Sequence, residues 1–144
     1  MKTKDLHNDI DAVRVVGPVA IGANGTVAGK VIDRKGFGAV EFVMSYGAIA
    51  TTGTVVTPVV KEGDATGSMT SVADSNLLGT EALAARLGGA TTSGTGANVS
   101  KRVGYVGTKR YVTVDMVKSG TTSVGCMAVS AVLGSPTVAP VDNP

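Results

Sequence analysis

The sequence predicts an all-β protein, and three observations support that prediction. Apolar and polar side chains alternate along several short runs, which is the period of a half-buried strand. Residues that favour turns, namely Gly, Pro, Asn and Asp, separate those runs at short intervals. Heptads and an alternation of strands with long helices are both absent from the sequence. We therefore predict a jelly-roll-like sandwich or barrel of about 7–8 antiparallel strands, with one short helix and extended termini.

The chain has 144 residues, which fits a single domain. Residues 1–11 are charged and lack periodicity, so we expect them to form an N-terminal arm. Residues 135–144 contain three prolines, and each proline fixes φ and removes a backbone donor. We therefore expect a Pro-rich C-terminal tail there, and a single β domain over residues 12–134.

The first strands are predicted on either side of Asn24 and Gly25. Apolar residues alternate along residues 19–23 and again along residues 27–31. An Asn-Gly pair between two such runs is the strongest short-range signal for a hairpin, because both residues tolerate positive φ. We therefore predict that these two runs pair with each other.

The next predicted strand places four apolar side chains on one face: Val40, Phe42, Met44 and Tyr46. Glu41 and Ser45 lie on the opposite face. Residues 54–60 are rich in β-branched side chains, which favour strands. Because Pro58 cannot donate to a ladder, that strand is predicted to lie at an edge or to contain a bulge. A further strand is predicted over residues 68–73.

One segment has a helical pattern. Thr80 could cap the run at residues 81–87, and Gly88 and Gly89 would end it. A helix of about two turns is not stable alone in water, so it would need a surface to pack on.

The C-terminal third has the clearest strand pattern. Residues 101–106 and 111–118 both alternate, and in the second run Val112, Val114 and Met116 share one face. Residues 124–133 are apolar on both faces, which is typical of a strand covered on two sides. The second cover could be a loop or a partner subunit. We expect Cys126, within that run, to be a small buried hydrophobe.

Composition narrows the possible functions. Aromatic residues make up 3% of the chain and charged residues 17%. The low charge indicates either a surface partly covered by other subunits or a neutral surface rich in Ser and Thr. The net charge is +2, and the basic residues are spread along the chain. A nucleic-acid partner is therefore not expected, since such binders usually carry a basic stripe with stacking aromatics.

The sequence offers no recognisable catalytic constellation. His7 and Cys126 are the single histidine and the single cysteine, too few for a zinc site, and no triad is evident. Four acidic residues cluster loosely: Glu62, Asp64, Asp74 and Glu81. A calcium or carboxylate site is conceivable there, but solvated turn residues are the interpretation we prefer. We predict no enzyme activity, no metal and no cofactor.

The N-terminus is too polar for a signal peptide. The sequence also lacks the run of about 20 apolar residues that a membrane-spanning helix needs. We therefore expect synthesis in the cytoplasm and no membrane partner.

Several segments resemble one family of structural proteins. Residues 103–114 (VGYVGTKRYVTV), 128–136 (AVSAVLGSP) and 139–140 (AP), with 74–81 (DSNLLGTE) upstream, are similar to segments of the cement, or decoration, proteins of tailed-phage capsids. The resemblance covers residues 74–140. It implies a jelly roll on the exterior of an icosahedral virion, made in the host cytoplasm. It also implies binding to the major capsid protein, often as a homodimer, without catalytic residues.

Four cations are candidate capsid contacts: Lys2, Lys4, Arg34 and Lys35. The arm and a hairpin end would expose them, although for each residue taken singly an ordinary solubilising charge is the interpretation we prefer. One alternative function is a tail-tube or head–tail connector subunit, which would assemble by itself into rings or tubes. Another is a carbohydrate-binding or hydrolytic β-sandwich, which the scarcity of aromatic residues disfavours.

Overall fold

The computed structural model describes residues 4–20, 22, 24–47, 55–81, 86–87, 99–120, 125–138 and 141. Within these ranges the chain forms eleven strands: β1 (Asp11–Ala20), β2 (Gly25–Val27), β3 (Ile32–Asp33), β4 (Phe37–Tyr46), β5 (Val55–Gly63), β6 (Thr70–Ser71), β7 (Leu77–Leu78), β8 (Arg86–Leu87), β9 (Val99–Tyr105), β10 (Tyr111–Ser119) and β11 (Cys126–Pro136). The helical elements that lie wholly within these ranges are two 3₁₀ turns, His7–Asp9 and Asp74–Asn76, and Glu81 is helical as well. The predicted all-β class is confirmed. The strand count exceeds the prediction because five strands have only two or three residues.

The strands form two antiparallel sheets. The five-stranded sheet has the order β1-β11-β4-β9-β7. The six-stranded sheet has the order β2-β10-β5-β6, with β3 also pairing with β10 and β8 with β5.

The pairings are nested in the sequence. The outermost strands, β1 and β11, pair in the five-stranded sheet, and inside them β2 and β3 pair with β10 in the other sheet. Further in, β4 pairs with β9 in the first sheet, and β5 pairs with β6 and β8 in the second. The chain is therefore arranged as one long hairpin that is rolled up, so that successive pairs of strands lie in alternate sheets. This arrangement is the pattern of a jelly roll.

The core lies between the sheets, and half of its buried hydrophobic residues are valines. The predicted inward faces of β4 and β10 are confirmed, since each of their apolar members is almost fully buried: Val40, Phe42, Met44, Tyr46, Val112, Val114 and Met116. From β11 the core receives Met127, Val129, Ala131 and Leu133. Because valine is small, many such contacts replace the aromatic residues that usually supply much of the buried area.

The opposite face of β10 is also covered. Thr113 is only 3% exposed, because the segment between β2 and β3 lies over it. The Thr113 hydroxyl donates a 2.9 Å hydrogen bond to the carbonyl of Lys30. The Lys30 N–H donates to the carbonyl of Val15 on β1. Residues 28–30 therefore connect one edge of the five-stranded sheet to the six-stranded sheet.

Pro58 lies where β5 lacks a neighbouring strand on its outer side. In the described residues, β8 pairs with Val55 and Val56, and β6 pairs with Lys61 and Glu62. The N–H and the carbonyl of Val60 both face away from β10, toward Glu81 and Val72. The N–H and carbonyl groups of a strand point to the same side every two residues. A residue at position 58 would therefore direct its N–H away from β10, as Val60 does. The missing donor of Pro58 therefore removes no hydrogen bond to β10, consistent with the edge-like position predicted for it.

The predicted hairpin at Asn24 and Gly25 is wrong. Strand β1 pairs with β11 in one sheet, whereas β2 pairs with β10 in the other. Gly25 does adopt a positive φ, +140°, so the glycine was interpreted correctly. The flanking runs nevertheless pair with longer strands far along the chain, and the turn lies where the chain passes between sheets.

The predicted helix over residues 81–87 is only partly right where the structure describes it. Glu81, its first residue, is helical, and its Oε1 accepts a 2.6 Å hydrogen bond from the N–H of Val60. Arg86–Leu87 instead form β8 and pair with the start of β5. At these two residues the open edge of β5 therefore determines the structure more strongly than helix propensity does. Residues 82–85 lie outside the described residues, as does the predicted loop at 90–97.

Strand β11 is covered on one face only within the described part of the chain. Its alternate residues Ala128 and Val132 are half-buried, and Ser130 is exposed. Cys126 is exposed too, so its predicted burial is wrong. It is the first residue of β11 and lies on the outward face beside Gly47, which has no side chain to cover the thiol.

Candidate interaction surface

The four predicted contact residues differ in their surroundings. Lys4 is exposed and lies near the end of β11, while Lys2 lies outside the described residues. Arg34 and Lys35 form the turn between β3 and β4. Lys35 is exposed, and its backbone N–H donates to a carboxylate oxygen of Asp33.

The Arg34 side chain is half-buried and bonded within the chain. Its Nε donates to the carbonyl of Lys109 at 2.5 Å and its Nη2 to the carbonyl of Gly107 at 2.9 Å. A longer bond of 3.4 Å runs from Nη1 to the carbonyl of Phe37. The guanidinium carbon also lies 5.4 Å from the ring centre of Tyr105. Arg34 thus joins the β3–β4 turn to the β9–β10 turn.

Tyr105 is the centre of a polar network beside Arg34. Its hydroxyl donates a short hydrogen bond to Glu62 and accepts one of 3.1 Å from the N–H of Lys109. Burial and the hydrogen bond to Glu62 raise the pKa of Tyr105 to about 12. The hydroxyl therefore remains protonated at neutral pH and fixes the β9–β10 turn against β5.

Two ion pairs surround this network. Arg110 binds Asp33 through two hydrogen bonds, from Nε at 2.9 Å and from Nη2 at 2.7 Å. These bonds are the main reason that the pKa of Asp33 falls to about 2. Lys109 pairs with Asp64 at 2.6 Å on the surface. The charges at this end of the sandwich therefore mostly satisfy one another.

The loose acidic cluster predicted from the sequence does not form a metal site. Glu62 and Glu81 accept the hydrogen bonds from Tyr105 and Val60, Asp64 pairs with Lys109, and Asp74 is exposed. Within the described ranges, no three His, Cys, Asp or Glu side chains form a group that could hold a metal ion.

The two terminal segments meet at one end of the five-stranded sheet. The N–H of Val141 donates to the carbonyl of Asn8, and the N–H of Thr137 donates to the carbonyl of Gly36. A groove of about 490 Å³ separates residues 4–10 from residues 134–136. Strand β1 begins at Asp11 and strand β11 ends at Pro136. The bounds of the N-terminal arm (residues 1–11) and of the C-terminal tail (residues 135–144) stay predictions.

The outward side of the five-stranded sheet, here called the outer face, is an exposed surface built from regular strands. It carries mostly small side chains and few charges: Ala12, Arg14, Leu78, Ala39, Glu41, Val43, Ser45, Ser100, Arg102, Gly104, Ala128, Ser130, Val132 and Gly134. Small side chains on neighbouring strands make this surface flat, and no aromatic residue projects from the part described.

A shallow hollow of about 230 Å³ lies at one margin of the outer face, between Leu78, Glu41 and Val132. Glu41 and Leu78 close over the neighbouring Gly104, where a Cβ would lie 2.7 Å from Glu41 Oε2 and 3.1 Å from Leu78 Cβ. Leu78 is 59% exposed and neighbouring Val106 is 50% exposed. The hollow is therefore rimmed by apolar side chains that the described residues leave partly uncovered.

Sequence reasoning missed the outer face as a candidate site. It selected cations at turns and termini, because these offer the most obvious exposure. A usable signal was nevertheless present in the outward positions of β11. There, Ala128, Ser130, Val132 and Gly134 occur where a solvated strand usually carries larger polar side chains.

Comparisons with known proteins identify the fold. No family model matches the chain, and no curated protein matches it. Among solved structures, the PBSX exported protein XepA superposes with a TM-score of 0.53 at 15% identity, over 99% of this chain. The chain spans 43% of the length of XepA.

Weaker structural similarity extends to a chain of the cyanophage Pam1 capsid asymmetric unit, with a TM-score of 0.47 at 13% identity over 94% of this chain and 93% of that one. A chain of infectious bursal disease virus, Gx strain, gives 0.46 at 9% identity over 89% of this chain and 32% of that one. At 15% identity, the superposition on XepA shows a shared fold only. Separately, no helical segment in the described part of the chain has the length and apolar character of a membrane-spanning helix.

Proposed function

We propose that this chain is a non-enzymatic structural protein of a phage virion, which binds the exterior of the capsid and cements neighbouring major capsid subunits. The observation that carries the proposal is the outer face: a flat, rigid sheet surface with exposed Leu78 and half-buried Val132 that no described residue covers. Exposed apolar surface rimmed by polar groups is typical of a protein interaction site.

The sequence resemblance supports the same function. The similarity of residues 74–140 to phage cement proteins, that of a Bordetella phage among them, includes β7, β9 and β11. These strands contribute Leu78, Gly104 and Val132 to the outer face. The superposition on XepA supports the fold on which such a function would depend.

Binding to a lattice makes modest contacts sufficient. A standard protein interface buries about 1,600 Å² in total. A cement protein that touches two neighbouring capsid subunits gains further affinity through effective concentration, because the second contact forms within the same assembly. A homodimer, which the resemblance implies, would add to this gain. We therefore propose a small oligomer in solution that becomes fixed only on the shell.

Lys2, Lys4 and Lys35 are proposed as additional capsid contacts, from the arm and from the β3–β4 turn. Arg34 would act differently, because its guanidinium already bonds to three carbonyls within the chain. Its part would be to hold the turn that presents Lys35. Deleting residues 1–10, which precede β1, tests the arm: unchanged shell binding would remove the arm from the proposal.

The function is tested by mixing the purified protein with phage shells that lack it and measuring co-sedimentation, with the mass of the free protein from light scattering. The proposal predicts saturable binding by a small oligomer and shells that resist heating better than before. Rings or tubes formed by the protein alone, without shell binding, would indicate a tail-tube or connector subunit. Specific glycan binding or hydrolysis without shell binding would indicate a carbohydrate-active sandwich.

A further inference from the structure

We propose that the outer face docks on an acidic protein surface, with Arg14 and Arg102 as its two charged anchors and Leu78 as its apolar anchor. The inference rests on the proposed function, because it takes the exterior of the capsid shell as that surface. It adds which side of the molecule faces the shell and what chemistry the shell presents there.

The two arginines lie in one row across the sheet. Arg14 on β1 pairs in register with Ser130 on β11, Ser130 with Val43 on β4, and Val43 with Arg102 on β9. Three inter-strand spacings of about 4.8 Å separate the two backbone positions by about 14 Å. Only the small side chains of Ser130 and Val43 lie between them, so a flat partner surface could contact both guanidinium groups.

Both guanidinium groups have N–H donors that remain available to a partner. Arg14 is exposed and forms no ion pair with the described residues. Arg102 is 78% exposed at its side chain and forms a loose ion pair with Glu41, whose Oε1 lies 3.8 Å from its Nε, beyond hydrogen-bond range. Arginine recognises carboxylates through paired N–H donors and is enriched in interfaces. Two carboxylates on the partner, one facing each arginine, would complete this arrangement.

The apolar anchor lies in the next row of the same face. Leu78 pairs in register with Gly104, and Gly104 with Glu41. The hollow beside Leu78 and Glu41 could accept an apolar side chain of the partner. An apolar contact beside charged anchors is compatible with the usual anatomy of an interface, in which a few residues supply most of the affinity.

A second copy of this chain fits the outer face poorly. Each face carries two arginines and one glutamate, Glu41, so two such faces would meet with a like net charge and repel each other. An acidic partner removes that repulsion. A homodimer, if it forms, would therefore use another surface and leave the outer face available to the shell.

The test is shell binding by a charge-reversed variant, Arg14→Glu with Arg102→Glu, on nuclease-treated shells that lack the protein. The control variant, Lys30→Glu with Lys118→Glu, changes the net charge equally but away from the outer face. A milder pair, Arg14→Gln with Arg102→Gln, guards against misfolding, and circular dichroism checks each fold. We expect at least about 100-fold weaker binding for the charge-reversed variant and less than about threefold for the control.

A second measurement tests the apolar anchor. Leu78→Ser removes an exposed side chain, so the fold should persist while shell binding falls about tenfold or more. Binding of wild-type protein should also weaken as salt rises, and this salt dependence should diminish in the Arg14→Gln, Arg102→Gln variant.

The outcomes separate the inference from the function. Wild-type binding that is lost only in the outer-face variants supports both. Wild-type binding that survives both arginine variants would overturn the inference and leave the cement function standing, whereas no wild-type binding would overturn the function and with it the inference. A wild-type dimer that the arginine variants dissociate, or binding that depends on nucleic acid, would also overturn the assignment of this face.

Discussion

The backbone N–H of Gly29 donates a 3.1 Å hydrogen bond to a carboxylate oxygen of Asp115, 86 positions further along the chain. The other oxygen of Asp115 lies 2.7 Å from the ammonium group of Lys61 on β5. Asp115 is 9% exposed although it points away from the core. This contact fixes the segment that joins the two sheets, so the stability of the jelly roll should depend on it.

Substitution of Gly29 by alanine should destabilise the fold. A Cβ at this position would lie 2.1 Å from the carbonyl oxygen of Val114 and 2.7 Å from a methyl of Val15, so the segment would have to move away from β10. We expect a loss of about 1–3 kcal/mol in the free energy of unfolding, measured with urea. Gly67→Ala is the control, since nothing lies within 4 Å of the added Cβ, and it should change stability by less than about 0.5 kcal/mol. Equal effects of the two substitutions would contradict this description of the segment.

The Lys61–Asp115 pair should contribute measurably because it is partly buried, with side chains 34% and 13% exposed. A double-mutant cycle with Lys61→Met and Asp115→Asn should give a coupling energy of about 1–2 kcal/mol. The matched control is the pair Lys109–Asp64, whose side chains are 42% and 75% exposed. Its coupling energy should be clearly smaller than that of Lys61–Asp115, because water screens exposed charges. A larger coupling energy for the exposed Lys109–Asp64 pair than for the Lys61–Asp115 pair would show that burial does not determine the strength of these interactions.

Arg34 and Lys35 should respond differently to truncation. Arg34→Ala leaves the carbonyls of Gly107 and Lys109 without their donor and should cost about 2–3 kcal/mol of stability. Lys35→Ala removes only an exposed side chain and should cost less than about 0.5 kcal/mol. Urea unfolding measures both losses. If Arg34→Ala proves as mild as Lys35→Ala, the turn does not depend on the guanidinium.

The Arg110–Asp33 pair should make stability depend on pH in the acid range. The pKa of Asp33 is lowered from 3.8 to about 2 in the folded chain, so folding favours the ionised carboxylate. Its stabilising contribution is present above pH 4 and is lost as the pH falls toward 2. The stability difference between wild type and Asp33→Asn should therefore be constant from pH 7 to pH 5 and should shrink below pH 4. A difference that stays constant down to pH 2 would show that Asp33 is not shifted.

Cys126 should react in the folded protein. Because the thiol is exposed at the start of β11, a thiol reagent should label one equivalent per chain without denaturant. Cys126→Ser should abolish labelling and change stability by less than about 1 kcal/mol, as expected for an exposed position. Labelling that appears only in urea would show that the thiol of Cys126 is buried in the folded protein, as the sequence predicted.

Features that depend on the local alternation of apolar and polar residues could be predicted from the sequence. The inward faces of β4 and β10 followed from period two, because a face that must be buried strongly restricts which residues can occupy it. Chain pairing could not be predicted in the same way. The Asn24–Gly25 signal is local, whereas β1 and β2 pair with strands about a hundred residues away, and no local pattern encodes that choice. The helix propensity of Arg86 and Leu87 was likewise outweighed by the edge of β5.

The candidate site was only partly predictable for a related reason. Exposure of lysines can be guessed from sequence, and Lys4 and Lys35 are exposed. The half-buried position of Arg34 depends on carbonyls about 75 residues away, and the row from Arg14 to Arg102 exists only once four strands are in register. The outer face is therefore a property of the sheet and not of any segment within it.

A cryo-electron microscopy reconstruction of shells saturated with the protein would test most directly whether it cements the capsid. We expect density for the jelly roll on the exterior of the shell, where it bridges neighbouring major capsid subunits. The five-stranded sheet should face the shell, with Arg14 and Arg102 against carboxylates. Shells without added density, or density confined to a tail or connector, would contradict the cement function. Density on the exterior with the six-stranded sheet toward the shell would contradict the role of the outer face.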